Sequence, residues 1–275
     1  MELTQKQRLK DLPRNVWAVS ITSFFMDISS EMVINILPLF LSNILGVKTN
    51  IIGLIEGVAE ATASLLQVIS GWLSDKLKTR KWLAVFGYAF SALAKPFFYI
   101  ANSWEAIAAI RWADRVGKGI RTAPRDALVA DSIAEEQRGM AFGFHRAADT
   151  FGAMLGIAIA ALVVWLTQRS ESILSLSTFH IIVLLSLIPA FLAVFSLIIG
   201  TKDVKTNTNA ALPKINMKAL GKDFLIFMLI VSLFDIGNSS DAFLTLRAQE
   251  RGVSVLGILI MLMVFNLVYT LISTP

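Results

Sequence analysis

Ser23 to Phe40, SFFMDISSEMVINILPLF, sets two carboxylates, Asp27 and Glu31, inside an otherwise apolar run long enough to cross a bilayer. An ionisable group at bilayer depth is rare, needs a partner or a water-filled cavity, and marks a pathway. Asp27 and Glu31 are four residues apart and share one helix face, so that face must look inward. The rest of the chain suits this reading. Of its 275 residues, 55% are hydrophobic and 16% are charged, against roughly 25% charged in a soluble domain. The composition is that of an all-α polytopic membrane protein, because a bilayer core requires each backbone group to be bonded within its own helix or within a closed barrel.

A crossing helix needs about 20 mostly apolar residues, and eight segments qualify: Val16–Leu41, Ile51–Leu73, Trp82–Ala101, Trp104–Leu128, Met140–Leu166, Phe179–Ile199, Phe224–Leu246 and Val255–Ser273. The fourth carries Arg111, Asp114, Arg115, Lys118, Arg121 and Arg125, so it must face protein or water. There is no cysteine, which excludes disulfides, thiolate metal sites and a thiol nucleophile. The basic residues cluster in alternate loops: before span one, between spans two and three (Lys76, Lys78, Arg80, Lys81) and after span six (Lys202, Lys205, Lys214, Lys218, Lys222). By the positive-inside rule both ends are cytoplasmic, and the chain is expected in the plasma membrane, the inner membrane of a bacterium. Five of the six tryptophans fall near span ends, as interfacial anchors do, and the loop placement of the +5 net charge argues against a nucleic-acid partner.

The opening motif recurs. DISSEM, Asp27–Met32, is echoed by DIGNSSDA, Asp235–Ala242, in span seven, with the same Asp-Ile, Ser-Ser and second acid and two residues inserted. Parallel repeats about an axis along the membrane normal characterise transporters whose halves rock around a midplane site. The Lys-, Asn- and Thr-rich stretch from Thr201 is the longest polar connection and the natural boundary between two bundles.

GWLSDKLKTRK, Gly71–Lys81, then carries a resemblance. It is similar to the signature between spans two and three of the major facilitator superfamily (MFS), supplied here by Gly71, Asp75, Lys76, Arg80 and Lys81, with Lys78 where the pattern has its second glycine. ALVADSIAEEQRGMAFGF, Ala127–Phe144, resembles the superfamily's junction between spans four and five. DRVGKGIRTAPRDALVAD together with GNSSDAFLTLRA resembles a bacterial subgroup of unassigned substrate. The resemblance implies an MFS fold: a six-helix bundle over residues 1–200, a cytoplasmic linker over 201–223, and the first two helices of a second bundle over 224–275. As the superfamily normally has twelve spans, the chain is expected to be a fragment of a longer protein, monomeric at full length.

The resemblance further implies a secondary active transporter that moves a small solute by alternating access, coupled to protons. A non-transporting membrane sensor or assembly partner on the same scaffold is the alternative. No enzyme is expected, since no nucleophile, phosphate loop or His-rich cluster appears, and no cofactor or metal. Asp27 lies about 16 Å along span one at about 1.5 Å per residue, near the midplane. The expected cavity joins Asp27 and Glu31 to Lys95, Arg111, Asp114 and Arg115, and, from the second half, to Asp235, Asn238 and Asp241. Burial favours a neutral carboxyl and an adjacent guanidinium a charged one. Protonation of Asp27 or Glu31 would then release span four; a static ion pair that fixes packing is the other reading. Gly71, Asp75, Lys76, Arg80 and Lys81 are the implied cytoplasmic gate, with Asp75 against a helix N-terminus of the other half. Glu56 and Glu60 read as an outer hydrogen-bonding rim, with a coupling role as the alternative, and Arg121, Arg125, Asp126, Arg138, Arg146 and Asp149 as an inner gate or a solvated ion-pair network. His145 and His180 read as packed side chains.

Overall fold

The computed structural model of the chain describes residues 9–169, 171–204, 221–238 and 240–272. Most of the expected linker, 205–220, lies outside them, as does Ser239. Among the described residues the regular structure is helical: α1 (Arg14–Ile34), α2 (Leu37–Asn43), α3 (Thr49–Leu77), α4 (Lys81–Ala94), α5 (Phe97–Ile100), α6 (Trp104–Asp131), α7 (Arg138–Thr167), α8 (Leu176–Gly200), α9 (Gly221–Gly237), α10 (Asp241–Glu250) and α11 (Val255–Ile272). Six rods are long and apolar enough to cross a membrane: α1 with α2, α3, α4 with α5, α7 with the turn before it, α8, and α9 with α10. The protein is a multi-pass membrane protein. α6 is as long as these rods but too charged to meet the same measure.

Three spans that the sequence reads as continuous are interrupted. Span one breaks at Asn35–Ile36, just before Pro38, and span three breaks at Lys95–Pro96. Proline lacks the N–H that would continue the ladder and its ring clashes with the preceding turn. Span seven is divided between α9, which ends at Gly237, and α10, which starts at Asp241, where the Ser240 hydroxyl accepts the Ala242 N–H. Pro124 and Pro189, by contrast, are carried inside α6 and α8.

α1 lies between α7 and α8, α6 lies between α3 and α4, and the α4–α8 contact joins the two sets; α11 leans on α7. Missing side chains set these distances. A Cβ at Gly152 or Gly156 would sit 2.5 Å from the carbonyl oxygen of Phe24 or Ile28, so α7 meets the α1 backbone directly. Gly87 and Gly117 do the same for α4 and α6, each 2.7 Å from the other's carbonyl oxygen by the same measure. Small residues are how helices approach closely where lipid offers no hydrophobic drive. One buried cluster centres on the Phe40–Phe179 stack, with ring centroids 3.9 Å apart; the other gathers Val16, Val19, Tyr88, Leu128 and Leu197 near the opposite end. Leu65, Val68, Phe86, Leu93, Ile188 and Phe195 are exposed, as a lipid-facing surface should be. α9 buries none of its residues.

Candidate functional site

The charges of α6 divide by depth. Arg111 and Arg115, one turn apart, meet Glu56 and Glu60, one turn apart on α3. Arg111 grips Glu56 with two prongs, Nε to Oε1 at 3.0 Å and Nη2 to Oε2 at 2.6 Å, and Arg115 Nε lies 3.2 Å from Glu60 Oε1. Arg111 also approaches Glu60 at 3.7 Å and Asp114 at 3.6 Å. The side chains of Arg111 and Glu56 are 2% and 12% exposed. A desolvated pair of this kind holds two helices in register, and its forked geometry is the strong form of the contact. Matched four-residue spacing on α3 and α6 is the sequence signal for this ladder, and reading Glu56 and Glu60 alone as a rim overlooks it.

Lys95 sits at the break between α4 and α5, 3% exposed. Its ammonium donates to the hydroxyls of Ser29 and Ser30 and lies 3.8 Å from the sulfur of Met26. It therefore ties the α4 break to α1 and lines neither cavity described below.

Two polar cavities follow. One of about 230 Å³ lies beside the ladder, between Glu31, Asn35, the Arg111 and Arg115 pairs, and Asp241 at the start of α10. The second, of about 360 Å³, lies between α1, α6, α7 and α11. Its α6 wall presents Lys118, Arg121 and Arg125; its α1 and α7 walls present Asp27, Glu31 and Asp149, with Arg146 and Thr150 alongside and Asn266 from α11. Glu31 and Lys118 border both cavities, so the two meet at that pair of side chains. Here, then, Arg121, Arg125, Arg146 and Asp149 join Asp27 around one space rather than forming a separate cluster.

The acids of the echo part company. Asp241 lines the smaller cavity with Glu31, while Asp235 and Asn238 are exposed and line neither. The cause is the break in span seven: Asp235 belongs to α9, which buries nothing, and Asp241 opens α10, which packs on α2 and α3. Asp114 is buried beside the ladder with Oδ1 lacking a hydrogen-bond partner among the described residues, outside both cavities. His145 is buried with Nε2 3.6 Å from Asp149 Oδ2, and the His180 ring lies against Tyr99, centroids 4.4 Å apart and planes tilted by 38°. Among the described residues no group of three or more His, Asp or Glu side chains is placed to hold a metal ion.

Comparison with known proteins decides the family. The description "Major Facilitator Superfamily" fits residues 19–275. The chain belongs to the major facilitator superfamily. A relative described as an uncharacterized MFS-type transporter, from Methanocaldococcus jannaschii, is 32% identical over 272 residues, which cover 97% of this chain and 66% of the relative. An uncharacterized protein of Mycobacterium tuberculosis is 34% identical over 113 residues, 41% of this chain and 27% of the relative. The chain thus spans just under two thirds, or less, of the curated relatives it matches here. The fold matches a crystal structure of a peptide transporter POT in complex with sulfate, with a TM-score of 0.61 at 15% identity, over 84% of this chain and 46% of that one. It also matches a POT family transporter solved in meso, with a TM-score of 0.59 at 13% identity over 96% and 55%.

The superfamily's loop signature has its own geometry here. Lys78, at the position of the second glycine, takes φ 53° and ψ 30°, so a left-handed turn is made without glycine. Asp75 pairs with Arg80 of its own loop at 2.5 Å; Arg80 also reaches Asp131 at 3.1 Å and Ser74 at 2.7 Å. Gly71 faces Ala123 of α6, and Lys76 lies over the Trp72 ring. Asp75 is expected against a helix N-terminus of the other half; among the described residues it pairs with Arg80, and the acid at a helix N-terminus beside this loop is Asp203, at the start of α4. Asp203 Oδ1 accepts the N–H groups of Arg80 (3.0 Å) and Lys81 (3.2 Å), and Oδ2 accepts the Thr79 hydroxyl. Lys81 returns the contact, donating to the carbonyls of Ile198 and Thr201 at the end of α8. Each helix end takes the charge its macrodipole favours. An acid just past an apolar helix, level with a basic loop, was the available signal.

Proposed function

We propose that the protein is a secondary active transporter of the plasma membrane that moves a small solute by alternating access, coupled to protons, with its N-terminus cytoplasmic and the loop around Arg80 as the inner gate. The observation that carries this reading is the meeting of the two charge-lined cavities at Glu31 and Lys118 inside a helical bundle of this superfamily. Carboxylates at that depth are costly anywhere but against water or solute. Asp27, on the wall of the larger cavity, is the proton-binding group in this reading. Rocking of the two halves would open the cavities in turn, and the interrupted spans one and seven, which border the smaller cavity, supply the joints.

The experiment is proton flux in vesicles holding the full-length protein, read by an internal pH-sensitive dye on addition of solute mixtures. Asp27→Asn abolishes solute-driven proton movement if Asp27 carries the proton. Undiminished flux removes Asp27 from the mechanism.

A further inference from the structure

The larger cavity carries both charges, basic side chains from α6 on one wall and, on the walls of α1 and α7, the acids Asp27, Glu31 and Asp149 with Arg146 beside the last. Lys118, Arg121 and Arg125 recur at intervals of three and four and so form one face of α6, opposite acids from α1 and α7. In the smaller cavity the opposite charges satisfy one another, Arg111 with Glu56 and Arg115 with Glu60. In the larger one they do not. Arg125 is paired, with Asp126 at 2.9 Å. Among the described residues, however, Lys118 and Arg121 have no carboxylate oxygen within 4.0 Å; Arg121 is held by the Ser91 hydroxyl at 2.6 Å and by the Tyr88 ring at 4.6 Å. Asp27 has neither ion pair nor hydrogen bond to a described residue. Asp149 lies 3.6 Å from His145, accepts a hydrogen bond from the Ser23 hydroxyl and is flanked by Arg125 and Arg146, while its Oδ1 is buried without a hydrogen-bond partner among the described residues. Lys118 and Arg121 on the α6 wall are therefore without a carboxylate partner among the described residues, and Asp27 on the α1 wall is without a basic one, across about 360 Å³, the low end of small-molecule sites, while Arg146 stands beside Asp149 on α7.

Resting on the transport reading above, we propose that the larger cavity takes a zwitterionic solute. Its anionic group lies on Lys118 and Arg121, and its cationic group lies on Asp27 and Asp149. A purely anionic solute leaves both carboxylates facing it, and a purely cationic one leaves Lys118 and Arg121 facing it; only a solute with both charges, held apart, answers both walls. Thr122 and Thr150 beside them donate their hydroxyl protons to the carbonyls of Lys118 and Arg146, which leaves their oxygens to accept from the body of the solute.

The chain lacks cysteine, so the test introduces one. Thr122→Cys in the full-length protein, in a background free of other thiols, is alkylated with a water-soluble maleimide in the presence of 5-aminopentanoate, pentanoate or pentylamine. The zwitterion slows labelling severalfold and the two singly charged analogues do not. Adding Asp27→Asn or Arg121→Gln removes the protection, whereas Arg121→Lys, which keeps the charge, retains it. Equal protection by pentanoate or by pentylamine alone overturns the zwitterion assignment. So does labelling that none of the three slows, and in that case the open cavity of the transport reading stands. A thiol that never labels shows a sealed cavity and overturns both.

Discussion

At the residue scale the account rests on which charges are spent and which are left over. Arg111 and Glu56 are spent on each other, and removing one partner leaves an uncompensated charge in a dry place. Glu56→Gln is expected to destabilise the protein by about 3 kcal/mol or more, whereas replacing both residues with leucine recovers most of that loss. Thermal unfolding in detergent of the two variants checks this, and an equal loss in both would mean that the pair adds nothing beyond its separate contacts. Asp27 and Glu31 were legible from the sequence alone, because carboxylates in an apolar run admit few explanations. Arg121 and Lys118 were not: a basic residue every turn or so along α6 reads equally as gate, network or wall until α1 and α7 stand opposite it.

At the element scale, glycines and caps position the walls. Gly156 lets α7 rest on the carbonyl of Ile28, next to Glu31. Gly156→Leu forces α7 away from α1 at the level of the acids, and the expected outcome is loss of the folded protein or of any solute protection, seen as aggregation in size-exclusion chromatography or as unprotected labelling. Asp203 holds the start of α4. Asp203→Ala is expected to cost about 1 kcal/mol as the loss of a helix cap, and hydrogen–deuterium exchange should quicken at Thr79–Ala84 while the core of α4 stays protected. Unchanged exchange there would show that the contact has no energetic weight. Six of the eight expected spans are long and apolar enough by hydropathy, a property of composition over many residues, whereas α6 is too charged and the described apolar part of α11 too short to meet the same measure. The interruptions at Lys95–Pro96 and between α9 and α10 do not follow from hydropathy, because a break inside an apolar run leaves its mean unchanged. It was the break in span seven that separated Asp235 from Asp241, and so half of the acidic echo from the cavity it was expected to share.

At the scale of the whole molecule, the fold reads as two packed sets, α1 with α7 and α8 and α3 with α4 and α6, that place the basic face of α6 opposite the acids of α1 and α7, with Arg146 among them. The superfamily follows from the chain as a whole, whereas the function proposed for it depends on motion between this bundle and α9–α11. A cavity of fixed shape would serve a sensor as well as a carrier; a carrier must open it to each side in turn. The direct measurement is the distance between spin labels placed by Asn102→Cys, in the loop after α5, and Arg251→Cys, after α10, in the full-length protein in lipid, recorded by double electron–electron resonance. Both positions are exposed and lie at the same end of the bundle. Alternating access predicts two separated distance populations whose ratio shifts with pH and with solute. A single narrow distance, unmoved by either, would contradict it.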